Sequence, residues 1–437
     1  MKQIMHPAKG SALAWAALVA VWSGGVLKAS DWPQWRGPEG TGRSAQTGFP
    51  ILWHEGRNIR WKCPLPGPAT STPIVWKDAI FLTAHTEDDR LLLVRVDKSM
   101  GSIVWTREVG RGTAPRSGPR RSPQKFHRFY SPASPSPVTD GRVVVAHFGN
   151  GDLAAYDLDG QLLWKRNLQD DYGPYTIWYG HANSPVIAGD LVVSVCMQDS
   201  LADLGGPVVE SYLVAHDLTT GQVRWKTTRR TQATAEQCDA YTTPLYCRLH
   251  DQSQLVVMGG NQLDAYDPAS GRLLWWLPNL VGGRTVTSPV VAGDLVIATR
   301  GLRGAMLAVR PRPAGELSHR DIVWTYSEGS PDACSPAVWN DLVFTITDDG
   351  IARCFDATSG HLRWKERLKG QYKASPVAAE GRVFFLNIDG LCTVVSAAPR
   401  FDKLAENALD DTTVASPALS DGLILIRGYK ALYGISK

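Results

Sequence analysis

Eight short Ser/Thr-Pro steps, each opening an apolar run, divide most of the chain into similar units. They fall at Thr72-Pro73, Ser136-Pro137, Ser184-Pro185, Thr243-Pro244, Ser288-Pro289, Ser335-Pro336, Ser375-Pro376 and Ser416-Pro417, about 40 to 64 residues apart. A repeat in this range signals an array of supersecondary units, which overrides the two or three domains that 437 residues would otherwise imply. Within a unit an apolar strand is followed by a two-residue turn such as Gly189-Asp190 or Gly293-Asp294 and a second strand. A third strand, a Gly turn and a fourth strand carrying Trp complete it. Runs of this length broken by Gly/Asp turns are hairpin signals, and four antiparallel strands make one blade of a propeller.

The most regular local feature lies at the third-to-fourth strand turn. Ala215–Trp225 has the pattern A-x-D-x-x-T-G-x-x-x-W, and it recurs at Ala265–Trp275 and, with Cys first, at Cys354–Trp364. Asp97–Trp105 keeps the spacing, and Asp157–Trp164 is one residue shorter. The Asp can accept turn N–H groups, and the Gly supplies positive φ before the next strand. The Trp is then free to wedge between neighbouring blades, its ring buried and its N–H seeking an acceptor. The last unit, Ser416–Lys437, has room for only three strands, while Asn58–Leu65 carries Trp61 in the register of a fourth. That N-terminal strand is expected to complete the last blade and cover its edge. The blade-docking series is then Trp61, Trp105, Trp164, Trp225, Trp275, Trp324 and Trp364, with Leu404 in the eighth place. The fold class is all-β: an eight-bladed propeller of four-stranded antiparallel blades, closed by an N-terminal strand.

These residues resemble the pyrroloquinoline quinone repeat, found in quinoprotein alcohol dehydrogenases and in the propeller lipoprotein of the outer-membrane β-barrel assembly machinery. The resemblance covers roughly residues 58–437. The preceding Asp31-Trp32-Pro33-Gln34-Trp35-Arg36-Gly37 resembles the N-terminus of exported proteins with this repeat. Its motif specifies a fold rather than a chemistry.

Residues 1–29 read as a signal peptide, with Lys2 and Lys9 before an apolar run and small residues at Ala29-Ser30. The apolar run is too short and too interrupted for an integral membrane span. The remaining chain divides into a Trp-containing lead segment, 30–57, and the propeller, 58–437, and is expected to be periplasmic or secreted. Loss of the first 29 residues removes three lysines and no acid, leaving a formal charge of +1, which gives no footprint for nucleic acid. Seven scattered cysteines, never C-x-x-C, fit neither a zinc site nor a disulfide framework. The export compartment permits one bridge, with Cys238 and Cys247 the nearest pair.

Second-to-third strand loops and blade-to-blade connections emerge on one face, and most length variation sits there. Any site belongs on that face, around the central channel. The connection Arg107–Tyr130 holds Arg116, Arg120, Arg121, His127 and Tyr130. It reads either as a basic clamp for an anionic partner or as a solvated loop. A second connection, Asp170–Asn183, holds Tyr175, Trp178, Tyr179 and His181, which either stack on a ligand or plug the channel mouth. Trp32 and Trp35 either staple the lead segment to the scaffold or meet a partner. Neither a catalytic residue nor a metal ligand set is assigned, because the histidines do not converge and no nucleophile or nucleotide motif appears.

Three functions follow. The leading one is an exported, non-catalytic binding or scaffold propeller that recognises a protein, peptide or envelope component through the variable face. The dehydrogenase resemblance implies PQQ with calcium as cofactors, beside a Cys-Cys pair that this chain lacks. A carbohydrate or polyanion binder is the third.

Overall fold

In the computed structural model, residues 31–112, 126–205, 208–302 and 304–437 are described. Eight antiparallel sheets follow one another around a central channel. In blade 3 the strands are Val186–Ala188, Leu191–Cys196, Tyr212–Asp217 and Val223–Thr228, paired in sequence order from the channel outwards. The other blades repeat this order, and blade 8 closes the ring as expected. Its strands Ala418–Ser420, Leu423–Arg427 and Ala431–Ile435 are joined by Ile59–Pro64, with Trp61 opposite Gly434. Among the described residues no helix is long and apolar enough to cross a membrane.

The turn chemistry is the expected one. The Asp217 carboxylate accepts from the N–H groups of Thr219 and Thr220 at 3.1 and 2.9 Å, and Gly221 takes φ +68°. A Cβ at Gly221 would lie 2.6 Å from the Trp164 ring of the preceding blade, so the glycine serves both its own turn and its neighbour's tryptophan. At six seams the docking indole donates to a carbonyl just after the turn's first residue one blade on. Trp61 reaches Lys98, Trp105 Leu158, Trp164 Leu218, Trp225 Pro268, Trp324 Ala357 and Trp364 Ala398, all at 2.8–3.2 Å.

Two seams depart from this pattern. Trp275 is fully buried but donates to Gln254 of its own blade. The blade 5 turn it would meet is lengthened, and the short strand Gly315–Glu316 folds back in parallel against Trp275 and Trp276. His250 occupies the vacant acceptor, the Pro311 carbonyl, at 2.7 Å. At the 7/8 seam the expected Leu404 is not the docking residue. Ala405, opposite Val394 just before the strand bulge, holds that register, while Leu404 stays 39% exposed. The reason is a blade 7 turn one residue longer than its counterparts: Ser396 N–H bonds Asp402 O, where Asp356 N–H bonds His361 O.

The Ser/Thr-Pro steps line the channel and join the blades. The N–H of Thr72 donates to Ser136 Oγ, Ser136 to Ser184, and the relay continues through Thr243, Ser288, Ser335 and Ser375 to Ser416, each bond 2.8–3.2 Å. Proline after each hydroxyl residue favours the extended backbone this relay needs. At the 8/1 seam the relay is interrupted: Thr72 Oγ1 has no partner among the described residues, and buried Arg427 bridges to Ser71 instead.

The lead segment enters the channel from the turn face. Trp32 pairs with Val75 of blade 1, Pro33 O accepts from Thr139 N–H of blade 2, and Arg43–Ser44 pairs with blade 7. Arg36, completely buried, donates to the carbonyls of Pro336, Pro376 and Thr41, spanning blades 6 and 7. Burial pushes its guanidinium down to about 9, so it remains charged at neutral pH without a carboxylate partner. Further on, Phe49 and Trp53 pack into the hydrophobic cluster that holds Ala405. The cysteines form no disulfide among the described residues, so the one bridge the compartment would permit, with Cys238 and Cys247 nearest in sequence, is not formed. Cys238 ends a turn on the loop face, whereas Cys247 lies within the innermost strand of blade 4.

Candidate functional site

Because the lead segment fills the turn-face half of the channel, the other half is a blind cavity of ≈ 230 Å³ opening on the loop face. Trp35 forms its floor. Thr72, Ser136, Ser184, Ser375 and Ser416 of the hydroxyl relay line its wall, and the rings of Phe129, Tyr130, Tyr179 and Tyr241 surround the mouth. The blade-to-blade connections supply the mouth.

Tyr130 is fixed by close approach to two glycines. A Cβ at Gly180, whose φ is +93°, would lie 2.4 Å from the Tyr130 ring, and one at Gly149 would lie 2.1 Å from its hydroxyl. Phe126 stacks on its other side at 4.7 Å, and burial raises the phenol above its ordinary range. Tyr179 receives Arg284 over its ring at 5.3 Å, and its N–H donates to the Tyr241 hydroxyl at 3.1 Å.

The charges at the rim are paired. Arg284 donates to Asp332 at 2.8 Å and lies 3.5 Å from Glu236, and Lys373 is bonded to Asp348. Burial raises Asp332 despite Arg284, and His127 is lowered by burial and by the cations Lys373, Arg128 and Arg284. Asp239 stands behind the rim and ties three connections together. Its carboxylate accepts from Trp178 N–H at 2.8 Å, and its carbonyl accepts from Thr285 N–H at 3.1 Å. Burial, with Asp199 and Glu236 nearby, raises its carboxyl to about 7.

The expected site residues separate into three groups. His127, Tyr130 and Tyr179 line the cavity, and Trp178 packs beside Tyr179. Tyr175 and His181 do not reach it. They are fully buried, stacked on each other at 4.7 Å, with His147 at 4.8 Å from His181. Burial lowers His181 to about 4, so it is neutral, and its Nε2 donates to Val195 O. Arg116, Arg120 and Arg121 lie outside the described residues, as does the expected signal peptide. Trp35, for which the sequence leaves open a staple or a partner contact, lines the cavity, while Arg284, Asp332 and Lys373 carry no sequence signal, since the repeat pattern holds no information about the channel axis.

The donor chemistry of the cavity is hydroxyl-rich and poor in carboxylate. Asp332 is the one acid among its described lining residues, and among the described residues no three of His, Cys, Asp and Glu converge on a metal position.

A family model described as outer membrane protein assembly factor BamB matches residues 51–205, 209–333 and 313–403. No curated protein matches the sequence. Among solved structures, BamB from Moraxella catarrhalis superposes with TM-score 0.57 at 14% identity, over 86% of this chain and 98% of that one. A europium-containing methanol dehydrogenase gives 0.66 at 12% identity, over 93% and 91%. The quinohemoprotein alcohol dehydrogenase of Comamonas testosteroni gives 0.64 at 13% identity, over 93% and 80%. At these identities the structural likeness establishes the fold alone.

Proposed function

From the premise that this chain belongs to the family described as outer membrane protein assembly factor BamB, we propose that it is an exported, non-catalytic recognition module that seats a protein or peptide partner on its loop face. The observation that carries this reading is the blind cavity at the centre of that face, its wall set with hydroxyls and its mouth ringed by aromatic side chains. At ≈ 230 Å³ it is larger than the ~150 Å³ apolar cavity that takes up benzene. It falls short of the roughly 300–1,000 Å³ of pockets that enclose a whole drug-sized molecule. One anchoring side chain of a partner fits those dimensions. Paired charges around a mouth of aromatic rings also match the arrangement of a buried anchor inside a polar rim.

A quinone with calcium does not fit the described residues. The cavity offers one carboxylate, already engaged by Arg284, and the sequence has no Cys-Cys pair. We therefore derive no redox step. The periplasm or the cell exterior is the compartment this reading requires.

Site-specific photocrosslinking in the exporting cell tests it. A photoreactive residue at Phe129 or Val414 is expected to give adducts of defined mass, and one at Thr219 on the turn face none. Equal adducts from both faces, or no adducts from the loop face, would refute the proposal. Saturable, calcium-dependent binding of pyrroloquinoline quinone would refute it in favour of the dehydrogenase reading. Adducts made only of glycan would favour the carbohydrate reading.

A further inference from the structure

Below the blind cavity lies a second, much smaller space walled by Val186, Pro244, Leu245 and Pro289 together with the polar Gln34, Thr243 and Ser288, and Trp35 is the one residue that lines both. We infer that Trp35 is a depth stop: its indole sets how long an anchoring group the cavity accepts, and its removal would extend the cavity into the space beneath. This inference rests on the recognition reading above.

Trp35 is unlike the other tryptophans of the lead segment. Trp32 and Trp53 are 0% and 2% exposed, as expected of aromatics that only fasten a strand to its support, whereas Trp35 is partly exposed and faces open volume. Its backbone cannot carry the ring away. On one side Pro33 O is held by Thr139 N–H of blade 2. On the other, Arg36 is fastened to the Pro336 and Pro376 carbonyls of blades 6 and 7. Between them Gly37 N–H closes a turn onto Gln34 O at 3.0 Å. The ring is therefore a fixed floor on a segment pinned at both ends, and the space beneath it, lined by uncharged residues both apolar and polar, would receive the end of a longer group.

The probes are N-acetyl-phenylalaninamide and its two-ring homologue N-acetyl-4-phenylphenylalaninamide, titrated into the full exported chain by ligand-observed NMR. Wild type is expected to favour the one-ring probe by about tenfold or more, and Trp35→Ala to reverse that preference by a similar factor. Trp35→Phe should fall between them. Because Trp35→Ala could loosen the segment, Trp35→Leu is run beside it, with circular dichroism and thermal melting confirming the fold. If both probes bind and the folded variants keep the wild-type preference, the depth stop is refuted while the recognition site stands. If neither probe binds wild type and loop-face crosslinks are absent, the recognition reading falls and the depth stop with it.

Discussion

Six blade seams share one docking bond, and two do not. At the six, an indole N–H reaches a carbonyl in the next blade's third-to-fourth turn. At the 4/5 seam that turn carries an insertion, and at the 7/8 seam it is absent, since blade 8 takes its third strand from one end of the chain and its fourth from the other. Trp275 turns inward and Ala405 replaces a tryptophan accordingly. The docking residue follows the integrity of the turn it docks on, and other elements fill the gap: Gly315–Glu316 with His250 at one seam, Phe49 and Trp53 at the other.

The largest effect is expected at Trp53. Trp53→Ala removes a buried aromatic from the cluster around Ala405 and should cost about 3–5 kcal/mol in denaturant unfolding. A loss below about 1 kcal/mol would mean that the 7/8 seam does not depend on the lead segment.

The loop face offers a contrast, because there Asp239 joins neighbouring connections whatever the turns below them do. Its folded carboxyl, near 7, lies above the ordinary value of 3.8, so the folded state holds the proton more tightly. Stability from this group is full below about pH 4 and is lost as pH rises through about 7, by on the order of 1.4 kcal/mol per unit. Thermal melts across this range should show that loss in wild type, and Asp239→Asn should remove it. A wild-type melting temperature independent of pH in this window would contradict the assignment.

Next comes the docking bond itself. Trp164→Phe keeps most of the ring but leaves the Leu218 carbonyl without its donor, a loss of about 1–2 kcal/mol. Hydrogen exchange should show the weakening in blade 3, across the seam. Trp275→Phe should disturb blade 4 around Gln254 instead, with the blade 5 turn loosened only by His250→Ala. The smallest effect is expected at Leu404: Leu404→Ser should change stability by less than about 0.5 kcal/mol, as befits an exposed side chain.

What could be read from the sequence follows from the range of the forces involved. The Asp217, Gly221 and Trp225 spacing is local turn chemistry, and so the blades, their number and the N-terminal closing strand with Trp61 were legible. Leu404 was misplaced because one extra turn residue shifts register without disturbing composition. The hydroxyl of each Ser/Thr-Pro step was visible as a marker, but its hydrogen-bond partner lies a whole blade away. The aromatic loop had no periodicity to separate Tyr179, at the cavity, from Tyr175 and His181, beneath it. Trp35 and Arg36 gain their positions from blades that converge on the axis, which no neighbouring residue announces.

The strand Ile59–Pro64 pairs only with Ala431–Ile435, near the opposite end of the chain. During synthesis, which runs from the N-terminus, this strand is made before the other blade strands and must wait through seven blades for its partner. An unpaired edge kept waiting is a template for pairing with other chains. Ring closure is also the contact of greatest sequence separation, and such contacts come late and slowly. The same join that leaves the finished disc without an unpaired edge therefore makes its assembly dependent on Ala431–Ile435, which is translated after every other blade strand. Loss of that one strand would leave Ile59–Pro64 unpaired and bare one edge of Leu423–Arg427 at once.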